Sequence, residues 1–194
     1  MKADIILLDN GHGYNTPGKC SPVWSDGSQL FEFKFNREIV KRIVEHFKSE
    51  KVRVIVPETF DVSLAERVSR VNKIVAANKG KTVLLISIHA NAGGGTGWEV
   101  WTSKGETKSD LFATMLFNQA NAKLSGLFPL RKDTTDGDPD KEAQFYILKN
   151  TNCPAILSEN LFMDTEKDCR FLMSEKGKET IAQIHIDFIK EILQ

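Results

Sequence analysis

The chain lacks a hydrophobic run long enough to cross a bilayer, has little cysteine, and carries no surplus of either charge. Its 194 residues are 41% hydrophobic, a globular proportion, whereas a spanning helix needs about 18 or more consecutive apolar residues. No membrane span is therefore expected. Lys plus Arg and Asp plus Glu each total 26, giving a formal net charge of +0. With no block of like charge, long-range attraction to nucleic acid or to an acidic polymer has no support. The 3 cysteines, Cys20, Cys153 and Cys169, are odd in number and lack C-x-x-C spacing. That argues against a disulfide framework or a zinc knuckle and leaves small hydrophobes. Met1-Lys2-Ala3-Asp4 has no charged-then-apolar leader, so an export signal is expected outside this sequence, or release by another route.

What the chain does have is alternation of apolar runs with helical periodicity. Ile5–Leu8, Val52–Val56, Thr82–Ile88, Trp98–Thr102 and Pro154–Ser158 read as strands. Leu30–Lys48, a segment beginning after Ser63, Lys108–Leu127 and Glu166–Leu193 read as helices, the last broken near Gly177. Ser63 followed by Glu66 has the spacing of a capping box. This order predicts one α/β domain over residues 1–194, with a largely parallel or mixed central sheet flanked by helices on both faces.

Two strands end in the same way. Ile5-Ile6-Leu7-Leu8 runs into Asp9-Asn10-Gly11-His12-Gly13, where the glycines are expected to let the chain turn sharply and present the imidazole. Thr82–Ile88 runs into His89-Ala90-Asn91. Ligands in an open α/β sheet bind beyond the carboxyl ends of the strands, so the two histidines can face one site. Glu32, in the first turn of the first helix, supplies a carboxylate. His-Glu-His is an acceptable ligand set for a hydrolytic zinc, which leaves a fourth position to water. Glu159 follows a third strand and suits proton transfer.

Other features carry less. His46 and His185 fall on apolar helix faces and read as core or boundary residues. Gly93-Gly94-Gly95 lacks the lysine and hydroxyl residue of a phosphate loop and reads as a mobile rim. Asp133, Asp136, Asp138 and Asp140 lack the full calcium-binding loop and read as a solvated segment.

The stretches Leu8–Gly13, Glu32–Asn36, Ser87–Ala92 and Pro154–Phe162 together resemble the four signature segments of the zinc-dependent N-acetylmuramoyl-L-alanine amidases, the third amidase family. Ser63–Arg67 with Asn72, and Gln144–Lys149, match lesser segments in order. The resemblance implies a fold like that of zinc peptidases of the phosphorylase/hydrolase type. It implies one zinc per chain on His12, Glu32 and His89, with Glu159 as the catalytic carboxylate, cutting the amide between muramic acid and the stem peptide's L-alanine. Asp9 and Asn91 are expected to orient an imidazole by hydrogen bond. Peptidoglycan is the implied partner, in the periplasm or cell wall. No wall-binding module follows in this sequence, so targeting is expected from the catalytic surface or from another protein. The chain departs from the family at Asn10, where proline is usual, and in the Thr16–Pro22 run. The segment Arg131–Glu142 is a candidate cover for the site.

Two alternatives stand beside this reading. A zinc carboxypeptidase of related fold would need a cation for a terminal carboxylate, and Arg67 or Arg131 could serve. A metal-free wall-binding or regulatory domain would not require Glu159.

Overall fold

The computed structural model describes residues 1–194. Strand β1 (Ile5–Asn10) is buried throughout, as a strand covered on both faces must be. Helix α1 (Glu32–Phe47) follows the long loop, then β2 (Val52–Val54), α2 (Leu64–Ala77), β3 (Val83–Asn91) and β4 (Glu99–Thr102). Next come α3 (Lys108–Leu124), β5 (Lys141–Glu142), α4 (Tyr146–Asn150), β6 (Ala155–Phe162), α5 (Glu166–Met173) and α6 (Glu175–Ile192). The six strands form one sheet in the order β2-β1-β3-β6-β4-β5. All neighbours are parallel except β4, which runs antiparallel to β6. The sheet is thus mixed, and helices flank both faces.

Side-chain alternation sorts the central strands into two cores. Ile6, Leu8, Leu84, Ile86, Ile88 and Ile156 point into the larger one, filled from α1, α3, α5 and α6. Ile5, Leu7, Val83, Leu85, Ala155 and Leu157 point into the smaller one, where Val68 and Val71 of α2 and Ile147 and Leu148 of α4 cover them. With a period of two, Asp9, His89 and Glu159 fall on the smaller-core side. That side is less thickly covered, and it is where a cavity opens.

Several local expectations change. The strands carrying the motifs are longer than their apolar runs, so His89 and Glu159 lie within β3 and β6 rather than after them. The break in the C-terminal helical region falls at Ser174, whose side chain accepts from the Gly177 amide and caps α6. Gly177 is needed for contact instead: a Cβ there would meet the Phe171 carbonyl oxygen at 1.8 Å. The Ser63–Glu66 box is half formed, because the Glu66 side chain pairs with Arg70. Gln144–Lys149 overlaps the short helix α4, which the sequence pattern did not announce.

His185 is fully buried against Ser158, whereas His46 is exposed at the end of α1 with its ring against Phe47. Asp140 is not solvated: it is 1% exposed and accepts from Thr102. The triple-glycine loop is tied down, since Asp164 accepts from the Gly93 and Gly94 amides. Cys20, Cys153 and Cys169 are all free thiols.

Candidate metal centre

His12, Glu32 and His89 meet at the carboxyl end of the sheet, each offering one ligand atom, all within 4.8 Å of one another. They arrive from three elements. His12 follows β1 and itself takes the left-handed conformation, with φ 64. The turn is therefore made by the histidine and not by the flanking glycines, which serve close approach. A Cβ at Gly11 would lie 2.1 Å from the His89 ring, and one at Gly13 would lie 2.0 Å from the Asp61 amide nitrogen. Glu32 is the first residue of α1 and 1% exposed. His89 lies near the end of β3, its ring edge-on to that of His12 at 4.9 Å between centroids.

Glu32 is held on one oxygen only. Its Oε1 accepts from the Ala90 amide (3.3 Å) and from Asn36 (3.4 Å), and contacts His89 Nδ1 at 2.9 Å. Oε2 is buried, lies 3.4 Å from His12 Nε2, and has no hydrogen-bond partner. A buried carboxylate oxygen without a partner is costly. Its place between two imidazoles fits a cation, and the donor set of two nitrogens and one carboxylate suits zinc.

Burial lowers the His12 pKa to about 4 despite the opposing charge of Glu32, so its imidazole is neutral and able to ligate at pH 7. Burial raises Glu32, but the His89 hydrogen bond and the imidazole charges outweigh it, and the net direction is down. Glu159 pairs in register with His89 across β3 and β6, and its Oε2 is buried without a partner. Burial, reinforced by the Glu32 and Glu99 charges, raises its pKa to about 7. A carboxyl group so tuned can both take and return a proton near neutrality.

The surrounding residues do not all take their expected parts. Asp9 touches no imidazole: it accepts from Ser87 Oγ at 2.6 Å and pairs with Arg67. Asn91 donates to Glu99 at 2.8 Å, also away from the histidines. Arg67, 2% exposed, is held by Asp9 and by Asp61 at 2.6 Å. Arg131 pairs with Glu99 at 2.6 Å. Arg67, with two carboxylates, is not a free cation for a substrate carboxylate, Arg131 shares Glu99 with Lys141, and no residue of the segment Arg131–Glu142 lines the cavity at the cluster.

Three supports escaped the sequence reading. Arg37 Nη1 donates to the His12 carbonyl at 2.8 Å, and Arg67 reaches the same oxygen at 3.4 Å, so two guanidiniums hold the strained turn. Asn36 donates to the Gly11 carbonyl at 3.0 Å. Asn160, fixed by the Trp98 indole at 2.8 Å, donates to the His89 carbonyl at 2.8 Å. Asn36 and Asn160 lie inside the motif stretches, which was the available signal. Arg37 gave none.

The cluster borders a cavity of about 360 Å³ with Glu159 in its wall and Leu64, Phe145 and Tyr146 at its rim. No helix of the chain is long and apolar enough to cross a membrane.

The sequence model of a family described as N-acetylmuramoyl-L-alanine amidase matches residues 6–191. The endolysin of Bacillus phage SPP1 is 29% identical over 195 residues, covering 97% of this chain and 66% of its own length. N-acetylmuramoyl-L-alanine amidase CwlM of Bacillus licheniformis is 29% identical over 182 residues, covering 93% of this chain and 65% of its own. The chain thus spans about two-thirds of the length of these curated relatives. A solved N-acetylmuramoyl-L-alanine amidase from Clostridium difficile 630 has the same fold, with a TM-score of 0.76 at 24% identity, covering 98% of this chain and 97% of that one.

Proposed function

The chain belongs to the N-acetylmuramoyl-L-alanine amidase family, and from that membership we propose that it hydrolyses the amide joining the lactyl group of N-acetylmuramic acid to L-alanine of the stem peptide. The observation that carries the proposal is the meeting of His12, Glu32 and His89 within 4.8 Å beside the unpartnered Glu159 carboxyl. His12, Glu32 and His89 would hold one zinc ion. When bound, zinc polarises the scissile carbonyl and acidifies water, making hydroxide available near pH 7.

The chain's own groups supply the rest. Glu159, whose pKa burial raises towards neutrality, accepts a proton from the attacking water as the new C–O bond forms. It then donates that proton to the nitrogen of L-alanine as the C–N bond breaks, and returns to its starting state. Asn36 and Asn160 hold the backbone at Gly11 and His89. Arg37 and Arg67 hold it at His12. Geometry is therefore fixed before substrate enters. Residues 1–194 act here as one catalytic domain, and the substrate puts that action in the cell wall or periplasm.

The test is digestion of purified murein by zinc-loaded protein, with labelling of newly freed amino groups. The expected product is an N-terminal L-alanine, abolished by a chelator and restored by zinc. Release of amino groups only from D-residues would instead support peptidase action and refute the proposal.

A further inference from the structure

The cavity beside the metal centre contains charge of both signs, and only one of its cations is unspent. Arg67 is neutralised by Asp9 and Asp61. Lys19 also lines the cavity, is exposed, and makes no ion pair or hydrogen bond through Nζ. Its charge is near enough to bear on His12, Glu32 and Glu159.

Its placement is not that of a loose surface lysine. The Lys19 carbonyl accepts the Glu32 amide at 3.0 Å, so its backbone is tied directly to a residue of the metal cluster. The next residue bridges to the start of α1 through Cys20 and Phe31, and Ser21 accepts the Leu30 amide on its hydroxyl at 2.9 Å. The otherwise irregular loop is thus fastened along the helix entry, and Lys19 is held where the cavity opens.

We propose that Lys19 is a specificity-determining residue that pairs with a free carboxylate on the stem peptide, one residue beyond the scissile amide, and so selects stems whose second residue carries a carboxylate over those carrying a carboxamide. This rests on the amidase reading above. Leu64 and Tyr146, which also line the cavity and are both about half exposed, offer apolar area and an aromatic face to the uncharged sugar. A cation for the peptide and an apolar, aromatic surface for the sugar would give a bound substrate one direction. Lysine suits the task as a compact charge on a flexible stem, reaching an anion without needing bidentate geometry.

The test uses two soluble N-acetylmuramoyl tripeptides that differ only in a free α-carboxylate or an α-carboxamide on the second stem residue. Zinc-loaded protein should favour the carboxylate by roughly fivefold in kcat/KM, chiefly through KM, as a partly screened ion pair allows. The preference should shrink with added salt. Lys19→Gln should bring the ratio of the two substrates to about one, Lys19→Arg should keep it, and Lys19→Glu should reverse it. Equal turnover of both substrates by the unaltered protein, or a preference that survives Lys19→Gln, overturns the assignment of Lys19. Failure to release L-alanine amino groups from either substrate overturns the amidase reading itself.

Discussion

Arg67 is the residue whose sequence-level and structural roles differ most, and replacing it separates them. It is 2% exposed and lies between Asp9, itself 1% exposed, and Asp61. Arg67→Met keeps most of the stem's volume and removes the guanidinium. Asp9 is then left buried with only the Ser87 hydroxyl for company. Breaking a buried pair on one side costs about 3–5 kcal/mol, a large share of the roughly 5–15 kcal/mol that holds a domain together. For a chain of this size that is a fall in Tm of roughly 6–20 °C. Urea unfolding at pH 7 reads the loss directly, and the double variant Asp9→Asn/Arg67→Met should recover most of it because the orphaned charge is gone. A loss below about 1 kcal/mol, or no relief from Asp9→Asn, would refute the argument and return Arg67 to the pool of substrate-binding cations.

Other outcomes follow from the same geometry. Glu159→Gln should retain zinc in a metal assay while lowering kcat by about 10²- to 10⁴-fold, whereas His89→Ala should lose both metal and turnover. Retained activity in Glu159→Gln would remove it as the proton-transfer group. Burial lowers the His185 pKa from 6.5 to about 4, so the unfolded chain takes up a proton first. Its contribution to stability is full above pH 6.5 and lost as pH falls towards 4, by up to about 3 kcal/mol. His185→Gln should flatten that part of a stability–pH curve. Gly177→Ala should lower Tm, as an overpacked contact costs about 1–3 kcal/mol, because the added methyl meets the Phe171 carbonyl.

The four side chains brought together at the site were legible because each follows an apolar run or begins a helix with strong local character. His12 and His89 end apolar runs, Glu32 opens an amphipathic helix, and Glu159 follows a third buried run. The alternating layers were legible for the same reason. What stayed hidden depends on partners distant along the chain. Asp9 finds Arg67 and Ser87, which are 58 and 78 positions away, and no local pattern distinguishes a carboxylate facing a guanidinium from one facing an imidazole. The direction of β4 was hidden too, since the alternation in Trp98–Thr102 is the same whichever way the strand runs. Asp140 read as wet because its neighbours are polar, yet Thr102 on β4 draws it inward. Gly177 marked a real constraint, but the constraint is contact with α5 rather than a helix break.

The register of β3 and β6 has a consequence for how such a domain can change. His89 and Glu159 stand opposite each other on adjacent parallel strands, so the gap between the proposed metal ligand and the proposed proton carrier is measured by the peptide ladder, about 4.8 Å from one strand to the next. That ruler is common to every sheet and owes nothing to the loops above it. Rims, lids and entrances can lengthen, shorten or exchange their residues over evolutionary time, retuning what is admitted, without ever recalibrating the chemistry beneath.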